Sequence, residues 1–129
     1  MRIVPVAVCA AVLAFAASGC KSPLVQVAEI TSITAPDTVV AGAAFPVVCH
    51  AILGYHTAFV VDHIDTVRTA SSYEIRIWSR DVSNGHMLLL LVAEGNWTFS
   101  ACPTEPGAFR VVADQPDGSV IEKTVTVLP

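Results

Sequence analysis

Four histidines, four cysteines and scattered carboxylates are the residues of this 129-residue chain with chemistry to offer. The histidines stand at His50, His56, His63 and His86. Zinc sites draw His and Cys ligands from short, fixed spacings, and these positions match none of them. Asp62-His63-Ile64-Asp65 comes nearest, because alternation along an extended strand puts His63 beside Asp65 on one face. That pairing suits a metal or a proton, and it suits a plain polar surface better. His86-Met87 has the ligand types of a copper carrier. Such carriers use several methionines together, whereas Met87 is the only one after Met1. Nucleophilic catalysis needs an activated serine or thiolate, and no Gly-x-Ser-x-Gly segment advertises one. Glu74, Asp81, Glu94 and Glu105 fall in apparent edges and turns and do not suggest the paired acids of a glycosidase. No glycine-rich loop follows a strand to cradle phosphate. The reading is therefore of a non-enzyme with no cofactor and no metal site.

The cysteines carry more. Met1 and Arg2 precede an uncharged apolar run from Ile3 to Ala17 and the small residues Ser18 and Gly19, which together make an export signal. The run is shorter than the roughly 20 apolar residues a spanning helix takes. Ala17-Ser18-Gly19-Cys20 resembles the lipobox of bacterial lipoproteins, in which the cysteine sulfur takes a diacylglyceryl group and a peptidase cuts just before it. The resemblance implies cleavage before Cys20, two or three acyl chains in keeping with the need for more than one, and a bacterial cell envelope as the location. Lys21 stands where an aspartate would favour the inner membrane, so the outer membrane is the expected address. An ordinary cleaved signal with an incidental cysteine is the alternative. The expected organisation is a signal peptide over 1–19, a lipidated cysteine and short tether over 20–29, and one domain over 30–129.

With Cys9 gone in the signal and Cys20 taken by lipid, Cys49 and Cys102 remain. Two thiols in an oxidising compartment tend to pair, and a loop of that size constrains the unfolded chain by roughly 4 kcal/mol. The alternative is two separate thiols. Alternation sets Cys102 on the opposite face from Trp97, Phe99 and Ala101, so pairing requires a bend at Pro103 or a bulge.

Losing Arg2 with the signal leaves six basic residues against eleven acidic ones, a net charge of −5. No basic stripe runs along any segment, so nucleic acid has no electrostatic footprint to bind. About 110 residues remain, enough for one core and not two.

The elements that must position these residues read as strands. Ile30 to Val39 is a strand interrupted by Pro36, hence an edge. Phe45 to Ile52 puts Phe45, Val47, Cys49 and Ala51 on one face and reads as an inner strand. Ala58 to Val67, the cleanly alternating Tyr73 to Ile77, Met87 to Val92 and Trp97 to Ala101 follow, separated by turn residues. Leu88 to Leu91 is apolar on both faces and fits either a buried strand or a partner surface. Ala108 to Asp114 and Val120 to Leu128 make a hairpin about Pro116-Asp117-Gly118. Seven or so such strands bury their apolar faces as an all-β sandwich.

Ile33-Thr34-Ala35-Pro36-Asp37-Thr38-Val39-Val40-Ala41-Gly42, with Phe45 and later Glu105-Pro106-Gly107-Ala108-Phe109-Arg110-Val111, resembles bacterial immunoglobulin-like lipoprotein domains. The resemblance implies a Greek-key sandwich and an exported module for protein contacts, adhesion or spacing. Core packing accounts for most of the large aromatics. Trp78, placed outward with Glu74 and Arg76, and the loop residues Tyr55, His56 and His86 are the candidate contact surface for an envelope protein, with a metal or small-ligand carrier as the alternative function.

Overall fold

A computed structural model describes residues 25–83 and 90–129; Cys20 and His86 lie outside the described residues. The described chain is all-β. Its strands are β1 (Val25–Val27), β2 (Glu29–Thr34), β3 (Thr38–Val40), β4 (Phe45–Gly54), β5 (Phe59–Arg68), β6 (Ser72–Asp81), β7 (Ala93–Ala101), β8 (Gly107–Asp114) and β9 (Val120–Leu128). They form two sheets, one of three strands in the order β2-β4-β7 and one of six in the order β1-β6-β8-β9-β3 with β5 along the outside of β6.

Alternation explains why the sheets pack as layers. Phe45, Val47, Cys49 and Ala51 of β4 and Tyr73, Ile75 and Ile77 of β6 are buried, and the residues between them are not. Ile30, Val111 and Val125 complete the same core from three further strands. Each fully buried Val or Ile contributes about 1.5–3 kcal/mol. Phe45 and Phe109 meet edge to face across the layers, with ring centroids 6.2 Å apart.

The proline-bearing segment Ala35–Asp37 is where the chain changes sheets. β2 pairs with β4 in the small sheet, whereas β3 pairs in parallel with β9 in the large one. Proline has no N–H to give a ladder, so the crossover falls where no ladder is needed. β6 serves three partners: β5 along one edge, and on the other β8 in parallel at Ser72–Ile75 and β1 at Trp78–Arg80. Nine strands rather than about seven, and two parallel pairings, set this topology apart from an all-antiparallel sandwich.

Three expectations are corrected. Val25–Val27 is paired with β6 and Ala28 is buried, so the folded domain includes these residues of the expected tether and does not begin at residue 30. Met87 to Leu89 lie outside the described residues, but Leu90, Leu91 and Val92 belong to no strand and are exposed, Leu90 at 86%, which removes the buried-strand alternative for them. Cys49 and Cys102 are not bonded. Cys49 sits opposite Trp97 while Phe45 sits opposite Ala101, which places Cys102 about 16 Å further along the ladder, far beyond the reach of a disulfide. Neither a bend nor a bulge turns Cys102 inward; its thiol is directed to the Gly42 carbonyl oxygen at 3.4 Å.

Candidate functional site

β5 and β6 build a cluster of polar and aromatic groups on their outer face. Val61 lies opposite Ser79, but the next pair is His63 with Trp78, so Asp62 is an extra residue in the ladder. Such a bulge re-aims side chains. Here it adds Asp62 to the face that already carries His63 and Asp65. The three side chains gather about Trp78, which stands half-buried on the outer face of β6 between Arg76 and Arg80.

The geometry about Trp78 is specific. The His63 ring stacks on the indole at 5.5 Å with 14° between planes. The indole Nε1–H donates to Asp65 Oδ2 at 3.0 Å, and the Arg76 guanidinium lies 5.8 Å from the ring centroid. Asp62 Oδ2 is 2.6 Å from His63 Nδ1, and its other oxygen is 3.1 Å from Arg80 Nε. Asp65 Oδ2 stands 3.7 Å from His63 Nε2. The two carboxylates thus flank opposite nitrogens of one ring and do not converge on a point. Among the described residues no group of three His, Cys, Asp or Glu side chains is arranged to hold a metal.

Beside this platform lies an open depression of about 610 Å³ bounded by Asp65, Glu74, Arg76 and Asp114. Arg76 reaches Asp114 Oδ2 at 2.9 Å from Nε and 2.7 Å from Nη2. The Asp114 carboxyl beside Glu74 pushes the Glu74 carboxyl up from its ordinary value, chiefly through their hydrogen bond.

Tyr55 and His56 form a separate cluster in the β4–β5 turn. Gly54 leaves the space for it, since a Cβ there would stand 2.1 Å from the Phe59 ring. Phe59 in turn packs on His56 at 4.5 Å. His56 Nδ1 accepts from the Ala58 N–H at 3.2 Å, which leaves Nε2 to donate to Asp81 Oδ2, also at 3.2 Å. The Asp81 carboxyl is held below its usual range, first by the Ser83 N–H and hydroxyl and then by His56. The Tyr55 hydroxyl donates to Glu29 Oε1 at 3.2 Å, and that bond raises its pKa. On the other sheet His50 bridges Thr31 Oγ1 at 2.6 Å and Glu94 Oε1 at 3.0 Å. Cys49 lies in the core, where burial pushes its thiol up to about 11 and so removes it as a nucleophile at neutral pH.

Of the expected contact residues, Trp78 faces outward and Tyr55 is exposed, while His56 is tied into its turn. The structure does not join Trp78 to Tyr55 and His56; it joins Trp78 to His63, Asp62 and Asp65. The shared face of His63 and Asp65 was readable by alternation. Nothing local in the sequence marks Asp62 as a bulge, or Asp114 as the neighbour of Arg76 and Glu74. Comparison of the chain with protein-family models, with curated proteins and with solved structures returns no match.

Proposed function

We propose that this chain is a bacterial cell-envelope lipoprotein, held by lipid on Cys20 with the outer membrane as its address, whose immunoglobulin-like β-domain is a non-enzymatic protein-binding module. The contact surface is the outer face of β5 and β6 centred on Trp78. One observation carries the reading: a half-buried tryptophan on the outer face of the sheet is stacked by His63 and hydrogen-bonded by Asp65, so its orientation is fixed before a partner arrives. Tryptophan and arginine dominate binding energy at protein interfaces, and a side chain already immobilised loses less entropy on binding. β5 is also an open edge, with no partner on its outer side among the described residues. Its bulge and its charges Asp62, Asp65 and Arg68 guard it against indiscriminate strand pairing.

Crosslinking in native cells, followed by mass spectrometry of what is attached, tests this directly. The expected result is one envelope protein recovered with the parent and reduced tenfold or more with Trp78→Ala, in line with roughly 2 kcal/mol for a hot-spot residue, while the thermal midpoint of the domain is retained. Equal recovery from both, or recovery of nothing beyond background, removes the binding-module reading. A metal or small-ligand carrier would then be the reading to test, by titration of metal ions with His63 intact and replaced.

A further inference from the structure

The exposed apolar residues are not spread evenly. Val25, Tyr55, Val82, Leu90, Leu91 and Val92 all carry large exposed apolar surface, and topology gathers them at one end. Val25 pairs with Arg80 near the end of β6. Val82 follows that strand directly and its N–H donates to the Ala58 carbonyl oxygen at 3.0 Å in the β4–β5 turn, which also holds Tyr55. Leu90 to Val92 lead into Ala93, which lies opposite Gly54 where β4 enters that same turn. Among the described residues, the opposite end carries only Val40, Val67 and Leu128 of the large exposed apolar residues. Leu90 at 86% and Leu91 at 57% are the most exposed neighbours of this kind, and the ladder on either side leaves them unpaired.

This end is also where the chain enters the domain. Five peptide steps separate Cys20 from Val25, at most about 18 Å of fully extended chain. Because Val25 is already paired in the sheet, no longer spacer is available to lift the domain away from whatever holds Cys20. We infer that Leu90, Leu91 and Val92 dip into the interfacial layer of the bilayer that holds the chain, so that the domain sits on the membrane by this end and does not hang free of it. The inference rests on the lipid anchor proposed for Cys20.

Physical chemistry favours a lipid surface over a charged one here. Apolar patches of this kind mark membrane or protein contacts, and an anchor at Cys20 no more than about 18 Å from Val25 holds this end against the bilayer, where burying apolar side chains in the interface adds to the hold of the acyl chains. The charged residues nearest this end, Glu29, Asp81 and Glu94, are acidic, and Arg80 is taken by Asp62. Lys21 beside the anchor is the one further base here, so attraction to anionic headgroups is weak, and on a zwitterionic surface the contact is apolar and insensitive to salt. With this end down, the Trp78 face of the large sheet stands upright beside the membrane and stays open.

The test uses the full chain purified from bacterial membranes, with the mass of its acylated Cys20 measured first, and reconstituted in phosphatidylcholine vesicles with plain or brominated acyl chains. Leu90→Trp adds an indole in the apolar segment and Val67→Trp adds one at the far end; the emission of each is taken over that of the unsubstituted protein. The expected result is a shift to shorter wavelength for Leu90→Trp and loss of most of its added emission in brominated vesicles, unchanged in high salt, with neither effect for Val67→Trp. An acylated protein whose Leu90→Trp emission matches that of Val67→Trp overturns the inference and leaves the anchor standing. A protein with no acyl mass on Cys20 overturns the anchor and the inference with it. A shift seen only in native membranes, or persisting in detergent as concentration rises, overturns it in favour of a protein partner or a second copy of this chain.

Discussion

β4 and β5 are both ten residues long and follow one another in the chain, yet they tolerate change in opposite ways. β4 is the middle strand of its sheet, laddered on both edges, and buries every second residue from Phe45 to Ala51. β5 is laddered on one edge only, buries no residue fully, and accommodates an extra residue at Asp62 without losing its register beyond it. A strand locked on both sides fixes the fold. A strand locked on one side is free to shape a surface, and that is where the polar cluster about Trp78 has formed.

Deleting one residue from each strand gives the sharpest break between them. Without Val48, either Phe45 and Val47 or Cys49 and Ala51 must turn to solvent, because a slip of one position moves side chains to the other face. Each Phe or Val so exposed forfeits about 1.5–3 kcal/mol from a total of roughly 5–15 kcal/mol. Urea titration followed by circular dichroism should show no cooperative transition. Without Asp62 the ladder closes into regular pairing, with Val61 still inward opposite Ser79 and His63 still outward opposite Trp78. Only the contacts of Asp62 with His63 and Arg80 are lost, so stability should stay within about 1 kcal/mol of the parent. A folded Val48 deletion, or an unfolded Asp62 deletion, would reverse the ranking of the two strands.

The same contrast explains what could be read from the chain. β4 and β6 announce themselves, since Phe45-Pro46-Val47-Val48-Cys49 and Tyr73-Glu74-Ile75-Arg76-Ile77 alternate with the period of a strand, and alternation alone decides which residues enter the core. It also placed Trp78 outward and His63 with Asp65. What alternation does not encode is the neighbour of each strand. Arg76 and Asp114 are 38 residues apart and meet only because β6 and β8 run parallel. Asp62 joins His63 because a bulge adds one residue, which leaves no mark in the local pattern. The disulfide expectation failed for the same reason: counting cysteines says how many partners exist, while register sets how far apart they are.

The thiols make the next, smaller test. Blocking free thiols without reductant should label Cys102, which is exposed, and leave Cys49 unlabelled until urea opens the core, because a buried thiol pushed up to about 11 is both inaccessible and protonated at neutral pH. Mass spectrometry counts the labels. Failure of both to react, even after unfolding, would mean that they are bonded and that the register of β4 with β7 differs from the one described.

The smallest effect concerns pH, and it again lies outside β4, which carries no carboxyl. Asp37, Asp81 and Asp117 are held below their ordinary range, by Lys123, by the Ser83 N–H and hydroxyl, and by the Ser119 hydroxyl and N–H respectively. A carboxyl lowered in this way binds fewer protons folded than unfolded, so its contribution is present above the ordinary carboxylate range and is lost as pH falls. Glu74 has the opposite sign. Raised by Asp114, it binds more protons in the folded chain, and its contribution is present at low pH and lost as pH rises through its raised value. Asp37 and Asp117 are exposed and Glu74 and Asp81 half-buried at the surface, where solvent screens them, so each effect is modest. The urea midpoint should fall as pH drops from about 5 to about 2, through and below the ordinary carboxylate range. The fall should be shallower in Asp81→Asn, which removes one of the lowered groups, and steeper in Glu74→Gln, which removes the group that opposes them. The reverse order in the two variants would mean that the carboxyl pair on β6 and β8 and the turn after β6 do not hold their protons as the geometry implies.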